Sequence, residues 1–261
     1  MCAEMYASSM RYWLNKDYAM EKIKIIIDGK EVEAIKDQCV LDVALENGID
    51  IPALCYHPEV EASGGSCRVC LVEAHQNGRM RLVTSCNYPV RKGLEVKTDT
   101  DLVKRIRKGV VELLLSRVPD SEVIRELAEK CFIEETRFFV DEGDNYRNKC
   151  IACGLCTLVC EEVVGVSAIS MQERGYDKTP GTPYHKASQA CIGCGACAYA
   201  CPTKAIPMTD DNDIRKIWGR EFTMLRCSVC GKPYIPEAQV DWIVKTTGKD
   251  RVFFDKCPDH R

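Results

Sequence analysis

The sequence lacks most of the features that announce a function at first sight. No apolar run approaches the roughly 20 residues needed to cross a bilayer; the best stretch, Val110 to Leu115, reads as one side of a short helix. Charge is nearly balanced, with 36 Lys and Arg against 39 Asp and Glu and a net charge of −3. No global field therefore favours nucleic acid. No signal peptide is visible, because Glu4, Arg11, Lys16 and Asp17 interrupt the start and no apolar stretch follows. These absences point to a cytoplasmic protein without a membrane span. No glycine-rich dinucleotide fingerprint opens a helix after a strand. No constellation of acid, base and nucleophile is seen either, so no catalytic residue is assigned.

What the chain has in excess is cysteine, 18 in 261 residues. Cytosolic thiols stay reduced, which argues against a disulfide framework. Repeated pairs two residues apart argue for metal, because such pairs converge on one centre. Metal centres also replace part of a hydrophobic core, so several small modules are expected rather than one or two ordinary domains.

Residues 1–19 read as an N-terminal extension, with Met20 as a candidate true start and Cys2 as a thiol without a motif. A first module spans residues 20–98. Lys22–Ile27 is β-rich, Asp28-Gly29 is a two-residue hairpin signal, and Glu31–Ile35 returns. Asp37 is placed to cap a helix whose Val40, Leu41, Val43, Ala44 and Leu45 share one face, and Gly48 ends it. Cys39 reads as a small buried apolar residue. Then Cys55, Cys67, Cys70 and Cys86 give C-x11-C-x2-C-x15-C, with Gly64 and Gly65 before the middle pair. Glycine there lets backbone N–H groups approach the sulfurs. His57 beside Cys55 has a supporting or surface role, since four cysteines already make a set.

Residues 99–140 read as a helical connector. Leu102, Ile106, Val110, Leu113 and Leu114 recur at helical spacing from Asp101 to Ser116. Lys104, Arg105, Arg107 and Lys108 form a basic cluster, a solvated side by default and a docking face as the alternative. Pro119 breaks this helix, and Ser121 can cap a second one running to about Lys130. Residues 141–209 carry a doubled pattern. Cys150, Cys153, Cys156 and Cys160 give C-x2-C-x2-C-x3-C; Cys191, Cys194, Cys197 and Cys201 repeat it, and Pro202 follows. In the bacterial two-cluster ferredoxin pattern the fourth cysteine of each run serves the other cluster. The expected sets are therefore Cys150, Cys153, Cys156 and Cys201 for one [4Fe–4S], and Cys160, Cys191, Cys194 and Cys197 for the second. Gly154, Gly193 and Gly195 let these loops turn close to the sulfides. Residues 210–261 hold Cys227 and Cys230, then Cys257 and His260. Three thiolates and an imidazole suit one structural Zn²⁺ in a zinc-ribbon-like module. A further [4Fe–4S] cluster, or His260 as a mere terminal residue, remain alternatives.

The stretches LDVALENGIDIPALCYHP, GGSCRVCLVE and TSC resemble the N-terminal [2Fe–2S] domain of the large iron–sulfur subunit of respiratory complex I, which also opens many [FeFe] hydrogenases. CEEVVGVSAI and CIGCGACAYACPTKAI resemble the ferredoxin-like domain that follows it, so the resemblance covers about Met20 to Met208. One departure stands out. That family typically follows ELLLS with a His-Pro pair and three cysteines for a His-ligated cluster. Here Glu112 to Ser116 is followed by Arg117, Val118 and Pro119, and the next cysteine, Cys131, is alone. That cluster is expected to be missing, with Cys131 packing at a helix end.

The fold class expected is α+β: a β-grasp [2Fe–2S] ferredoxin domain, a helical connector, a bacterial-type 2[4Fe–4S] ferredoxin domain and a small zinc-ribbon-like module. The resemblance implies an electron-transfer subunit of an NAD(P)H- or ferredoxin-linked complex, as in flavin-based electron-bifurcating hydrogenases or transhydrogenases. Its expected partners are a flavin-containing, NAD(P)H-binding subunit, a second redox subunit and soluble ferredoxin. A free polyferredoxin is the main alternative. A redox-sensing regulator is disfavoured by the charge balance and the lack of a helix-turn-helix pattern.

Overall fold

The computed structural model describes residues 21–61, 63–140 and 149–261. The N-terminal extension, Cys2 and Met20 lie outside the described residues, as does the first part of the segment from residue 141. The chain divides into two compact units: one contains the described residues up to Pro52 with Cys70–Val103, the other Ala53–Val69 with Lys104–Arg261. Compactness thus groups the Ala53–Val69 loop with the helices and the second cysteine pattern, not with the strands that flank it in sequence.

The first unit is built on a mixed sheet. Strand β1 (Lys22–Ile27) alternates strictly, burying Ile23, Ile25 and Ile27, and pairs antiparallel with β2 (Lys30–Ile35). Asp28 and Gly29 both have positive φ, 48° and 78°, as a two-residue hairpin turn requires. The Asp28 carboxylate also accepts from the Thr98 amide (2.8 Å) and hydroxyl (2.6 Å), tying the turn to distant chain. Strand β3 (Leu71–Gln76) forms a second hairpin with β4 (Arg79–Thr84), and β5 (Glu95–Lys97) joins the two. The resulting order is β2-β1-β5-β3-β4, with β1 and β5 parallel.

Helix α1 (Val40–Glu46) follows the first hairpin as expected, but its cap differs. Asp37 sits two residues early, at φ 67°. The N-cap is Cys39, whose sulfur accepts from the Asp42 amide at 3.4 Å. Cys39 is therefore a half-buried capping group rather than a fully buried apolar residue. Leu45 is the other correction. Val40, Leu41, Val43 and Ala44 are buried, whereas Leu45 is 55% exposed because helical spacing turns it off their face.

In the second unit, α2 (Asp101–Arg117) ends just before Pro119, and α3 (Glu122–Lys130) follows with Ser121 at its N-cap. The Ser121 hydroxyl does not cap: it is buried and makes no hydrogen bond to the described residues. Val118 is fully buried, in a core with Leu54, Cys55, Cys67, Val69, Ile124 and Ile151. Cys131 ends α3 and packs beside Val111, Ala128 and Ile133. The basic stretch of α2 is not simply solvated. Arg107 donates to the Val69 carbonyl (3.1 Å) and Lys108 to that of Phe132 (3.0 Å).

The doubled cysteine segment carries two one-turn helices, α4 (Leu155–Leu158) and α5 (Ala196–Tyr199), and a small pair of strands, β6 (Ser170–Gln172) and β7 (Thr179–Gly181). A four-stranded antiparallel meander follows: β8 (Met208–Asp211), β9 (Ile214–Ile217), β10 (Arg220–Arg226) and β11 (Pro233–Pro236), in the order β11-β10-β9-β8. Helix α6 (Glu237–Thr247) is closed by Gly248 in the left-handed conformation. No helix among the described residues is long and apolar enough to cross a membrane.

Ile124 is fully buried in the core that holds Cys55 and Cys67. Ile124→Ala is expected to destabilise the protein by about 2–5 kcal/mol. Leu45→Ala, at an exposed position, should stay within about 0.5 kcal/mol. Chemical denaturation of both variants checks the contrast.

Candidate metal centres

The first four candidate ligands occur as two close pairs. Within the second unit, Cys55 and Cys67 close a loop in which the Cys67 amide donates to the Cys55 sulfur at 3.3 Å and the Gly64 amide to the Cys55 carbonyl at 3.0 Å. Gly64 and Gly65 have φ of 102° and 74°, the left-handed region that glycine tolerates. The thiol of Cys67 is pushed well up by its hydrogen bond with Cys55 and by burial. Within the first unit, the β3–β4 hairpin brings its own ends together. Cys70 precedes β3, Cys86 follows β4 in a short 3₁₀ turn, and their sulfurs lie 3.3 Å apart. His57 is used locally: its Nδ1 accepts from the Glu59 amide and its own amide donates to the Ser63 hydroxyl.

The doubled pattern forms two hollows. One is lined by Cys150, Cys153, Cys156 and Cys201 with Ile151, Gly154 and Pro202. The other is lined by Cys160, Cys191, Cys194 and Cys197 with Ile192, Gly195, Ile217 and Trp218. Each hollow takes three cysteines from one run and one from the other. Local geometry explains how. Gly154 (φ 81°) and Gly195 (φ 77°) stand as left-handed N-caps of α4 and α5, so each loop folds back and delivers its third cysteine, Cys156 or Cys197, on the new helix. Cys160 then lies in a widened turn, Val159–Val163, with π-type hydrogen bonding, a local distortion that recurs at functional sites. Its counterpart Cys201 follows the end of α5 and is stopped from helix by Pro202.

Both hollows suit a cationic cluster. Backbone amides converge on the sulfurs: Ala152 on Cys150 and Ala168 on Cys160 (3.3 Å each), and Ala205 on Cys201 (3.2 Å). Burial pushes the thiols of Cys153 and Cys197 up to about 12, and that of Cys156 higher still. Neighbouring cysteines push each of the three in the same direction. Thiols packed in this way cannot ionise together without a compensating cation, which iron in a cluster would supply.

Residues far away in sequence brace these loops. Arg117, at the end of α2, donates to the carbonyls of Cys150 (2.9 Å), Tyr176 and Lys178. Arg215, on β9, is 5% exposed and bound by Asp210 through two 2.7 Å hydrogen bonds; it donates to the carbonyls of Gly193 and Cys194. Arg220 donates to the carbonyls of Ser188, Gln189 and Cys191 and stacks on Phe222. Trp218 donates its indole N–H to the Cys197 sulfur at 3.3 Å. Sequence reasoning missed all four. Their spacing shows nothing of what they touch 20 to 60 residues away; the only sequence hint was an arginine among the apolar positions of Ile214–Trp218.

In the C-terminal segment, the ligand atoms of Cys227, Cys230, Cys257 and His260 all lie within 4.8 Å of one another. A tetrahedral zinc with Zn–S bonds of about 2.3 Å needs sulfurs about 3.7 Å apart, so the set fits one ion with little closure. Cys227 leads out of β10 into a tight turn in which Gly231 donates to its carbonyl. A short 3₁₀ turn, Pro258–His260, sets the His260 Nδ1 3.1 Å from the Cys257 sulfur. Amides of Cys257 and Cys230 aimed at the Cys227 sulfur lower its thiol to about 6, a thiolate prepared for metal.

Comparison with known proteins agrees with this layout. Residues 20–101 match the family described as a 2Fe-2S iron-sulfur cluster binding domain, and residues 149–205 and 190–232 match the 4Fe-4S dicluster domain. The chain therefore carries ferredoxin-type domains of both kinds. It is 32% identical, over 80% of its length, to the alpha subunit of an NADPH-Fe(3+) oxidoreductase from Geobacter sulfurreducens, of which it spans 26%. It is also 32% identical, over 59% of its length, to one subunit of an NADH-quinone oxidoreductase from Rickettsia prowazekii, spanning 25% of that protein. The chain thus spans about a quarter of the length of these relatives. Among solved structures, an NAD+-reducing [NiFe]-hydrogenase in the H2-reduced state aligns with a TM-score of 0.54 and 28% identity, over 61% of this chain and 74% of that one. The resemblance to iron–sulfur subunits of NAD(P)H-linked oxidoreductases and hydrogenases, read from the motifs, holds.

Gly193 marks how tightly the C-terminal sheet covers the second hollow. A Cβ there would lie 2.5 Å from the Phe222 ring, whereas one at Gly231 would meet open space, with nearly the same φ. Gly231→Ala is expected to lose about 1–2 kcal/mol, from backbone strain alone. Gly193→Ala should lose more and release iron from the protein, readable by the 400 nm absorbance of the purified variants.

Proposed function

We propose that this chain is a cytoplasmic electron-transfer subunit of a multi-subunit, NAD(P)H- or ferredoxin-linked oxidoreductase. It passes single electrons between a flavin subunit and a second redox partner, within flavin-based electron bifurcation. The observation that carries the reading is the pair of hollows, each lined by four cysteines drawn from both runs. Its relatives, subunits of an NADPH-Fe(3+) oxidoreductase and of an NADH-quinone oxidoreductase, support the class of complex.

We assign one [2Fe–2S] cluster to Cys55, Cys67, Cys70 and Cys86 in a β-grasp domain of residues 20–98. Two [4Fe–4S] clusters are assigned to Cys150, Cys153, Cys156 and Cys201, and to Cys160, Cys191, Cys194 and Cys197. One zinc is assigned to Cys227, Cys230, Cys257 and His260. When bound, such clusters supply one-electron storage, whereas a nicotinamide delivers two electrons at once; hence the need for a flavin partner. The chain's own residues hold the sulfurs in place, exclude water from them and aim N–H groups at them.

Anaerobic purification followed by metal analysis and EPR is expected to give about ten iron atoms and one zinc per chain. About fourteen iron atoms without zinc would turn the C-terminal site into a third [4Fe–4S] cluster. Gentle purification of the native protein should retain a flavin-containing subunit. A stably monomeric protein that carries all its clusters would favour the free polyferredoxin instead.

A further inference from the structure

The two cysteine hollows are near-repeats, so each serves as a control for the other. In both, a left-handed glycine starts a one-turn helix that presents the third cysteine, and backbone amides reach the sulfurs. Both also have an arginine on the loop carbonyls, Arg117 for the first and Arg220 for the second. Arg215 adds a second guanidinium to the second hollow, but Asp210 pairs with it and largely cancels its charge. The side-chain contacts to the sulfurs differ: in the first hollow the Thr203 hydroxyl lies 3.7 Å from the Cys201 sulfur, whereas the second hollow has a closer donor. The third cysteine of the second hollow, Cys197, accepts an indole N–H from Trp218. No side chain among the described residues is seen to donate to its counterpart, Cys156.

The backbone at Trp218 supplies an independent observation. Ile217 and Arg220 pair across the β9–β10 turn, so Trp218 and Gly219 are its two central residues. Their φ values are 52° and 71°. Such a turn favours asparagine, aspartate or glycine at its first central position. A bulky aromatic with positive φ is uncommon; Phe132 and Tyr184 share it but are exposed, whereas Trp218 is half-buried. Nothing in the hairpin itself demands a tryptophan. What the position gains is a ring that lines the hollow and an N–H placed on a ligand sulfur.

We infer that Trp218 is a tuning residue that makes the Cys160, Cys191, Cys194 and Cys197 site the higher-potential one of the two [4Fe–4S] sites. The inference rests on the proposed assignment of a [4Fe–4S] cluster to each hollow. Adding one electron increases the negative charge on the sulfurs, and an N–H donor stabilises the reduced form more than the oxidised one. At equilibrium a single electron shared between the two sites therefore rests on the Trp218 side, and the C-terminal sheet marks the sink end of this pair.

The test is an anaerobic, dithionite-driven redox titration of the full chain followed by EPR, in wild type and in Trp218→Phe. Phenylalanine keeps a ring over the hollow and removes the N–H. The expected result is two resolved [4Fe–4S] midpoints in wild type. In the variant the higher one falls by about 59 mV, a tenfold less favourable one-electron reduction, with unchanged iron content and an unmoved lower midpoint. An unmoved higher midpoint in a variant with full iron overturns the inference alone. Loss of iron from Trp218→Phe also overturns it, by making the ring a structural plug. Wild-type protein without two [4Fe–4S] signals overturns the cluster assignment and this inference together.

Discussion

A sulfur held inside a protein is easily kept as a thiol and kept as an anion only at great expense. The rest of this chain is arranged around that constraint. Burial raises the thiols of Cys153 and Cys156 in one hollow and of Cys197 in the other, and neighbouring cysteines raise them further. The arrangement makes sense only if positive charge closes it. That explains why the loops are shaped by left-handed glycines, which bring amides to the sulfurs, and why arginines are spent on loop carbonyls rather than on the cysteines themselves. Arg117, Arg215 and Arg220 all bind the backbone of a cysteine loop. They fix its curvature while contributing charge from one layer away.

The same constraint explains what surrounds Val118. At the position where the family resemblance leads one to expect a histidine, the chain has a fully buried valine against Leu54, Ile124 and Ile151. Cys55 and Cys67 share this core, and Cys153 packs against it. A polar ligand group there would need a partner or a metal. An apolar one simply joins the core, and α3 supplies Ile124 to complete it. The segment between α2 and α3 thereby serves as hydrophobic support for the Cys55–Cys67 loop and for Cys153.

How much of this could be read beforehand depended on range along the chain. The hairpin at Asp28-Gly29 and the α2 boundary at Pro119 are set by local spacing, and the sequence displays local spacing directly. The cap of α1 was misread because aspartate is the commoner capping residue, while the register of the strand before it puts Cys39 there. Leu45 was misplaced because a seven-residue helix has room for only one buried stripe. Trp218, Arg215, Arg220 and Phe222 were invisible for another reason. Their partners lie about 16 to 32 residues upstream, and the alternation of their strand puts a buried arginine where an apolar residue is usual. The assembly of Cys227, Cys230, Cys257 and His260 was foreseeable from residue type; the sheet that leads into it was not.

That sheet is also what joins the C-terminal segment to the second hollow. Strand β10 begins with Arg220 and Phe222 on the Cys191–Cys194 loop and runs directly into Cys227. Few apolar side chains around it are buried: Ile217, Phe222, Met224, Val240 and Phe254. A core that small seldom holds a module of about 50 residues together by itself, and a metal ordinarily makes up the deficit. Held at one end by the Phe222 contact and at the other by a four-residue ligand set, β10 has little freedom to move independently. Order at the proposed zinc site is therefore order in the strand that covers Gly193 and in the turn that carries Trp218.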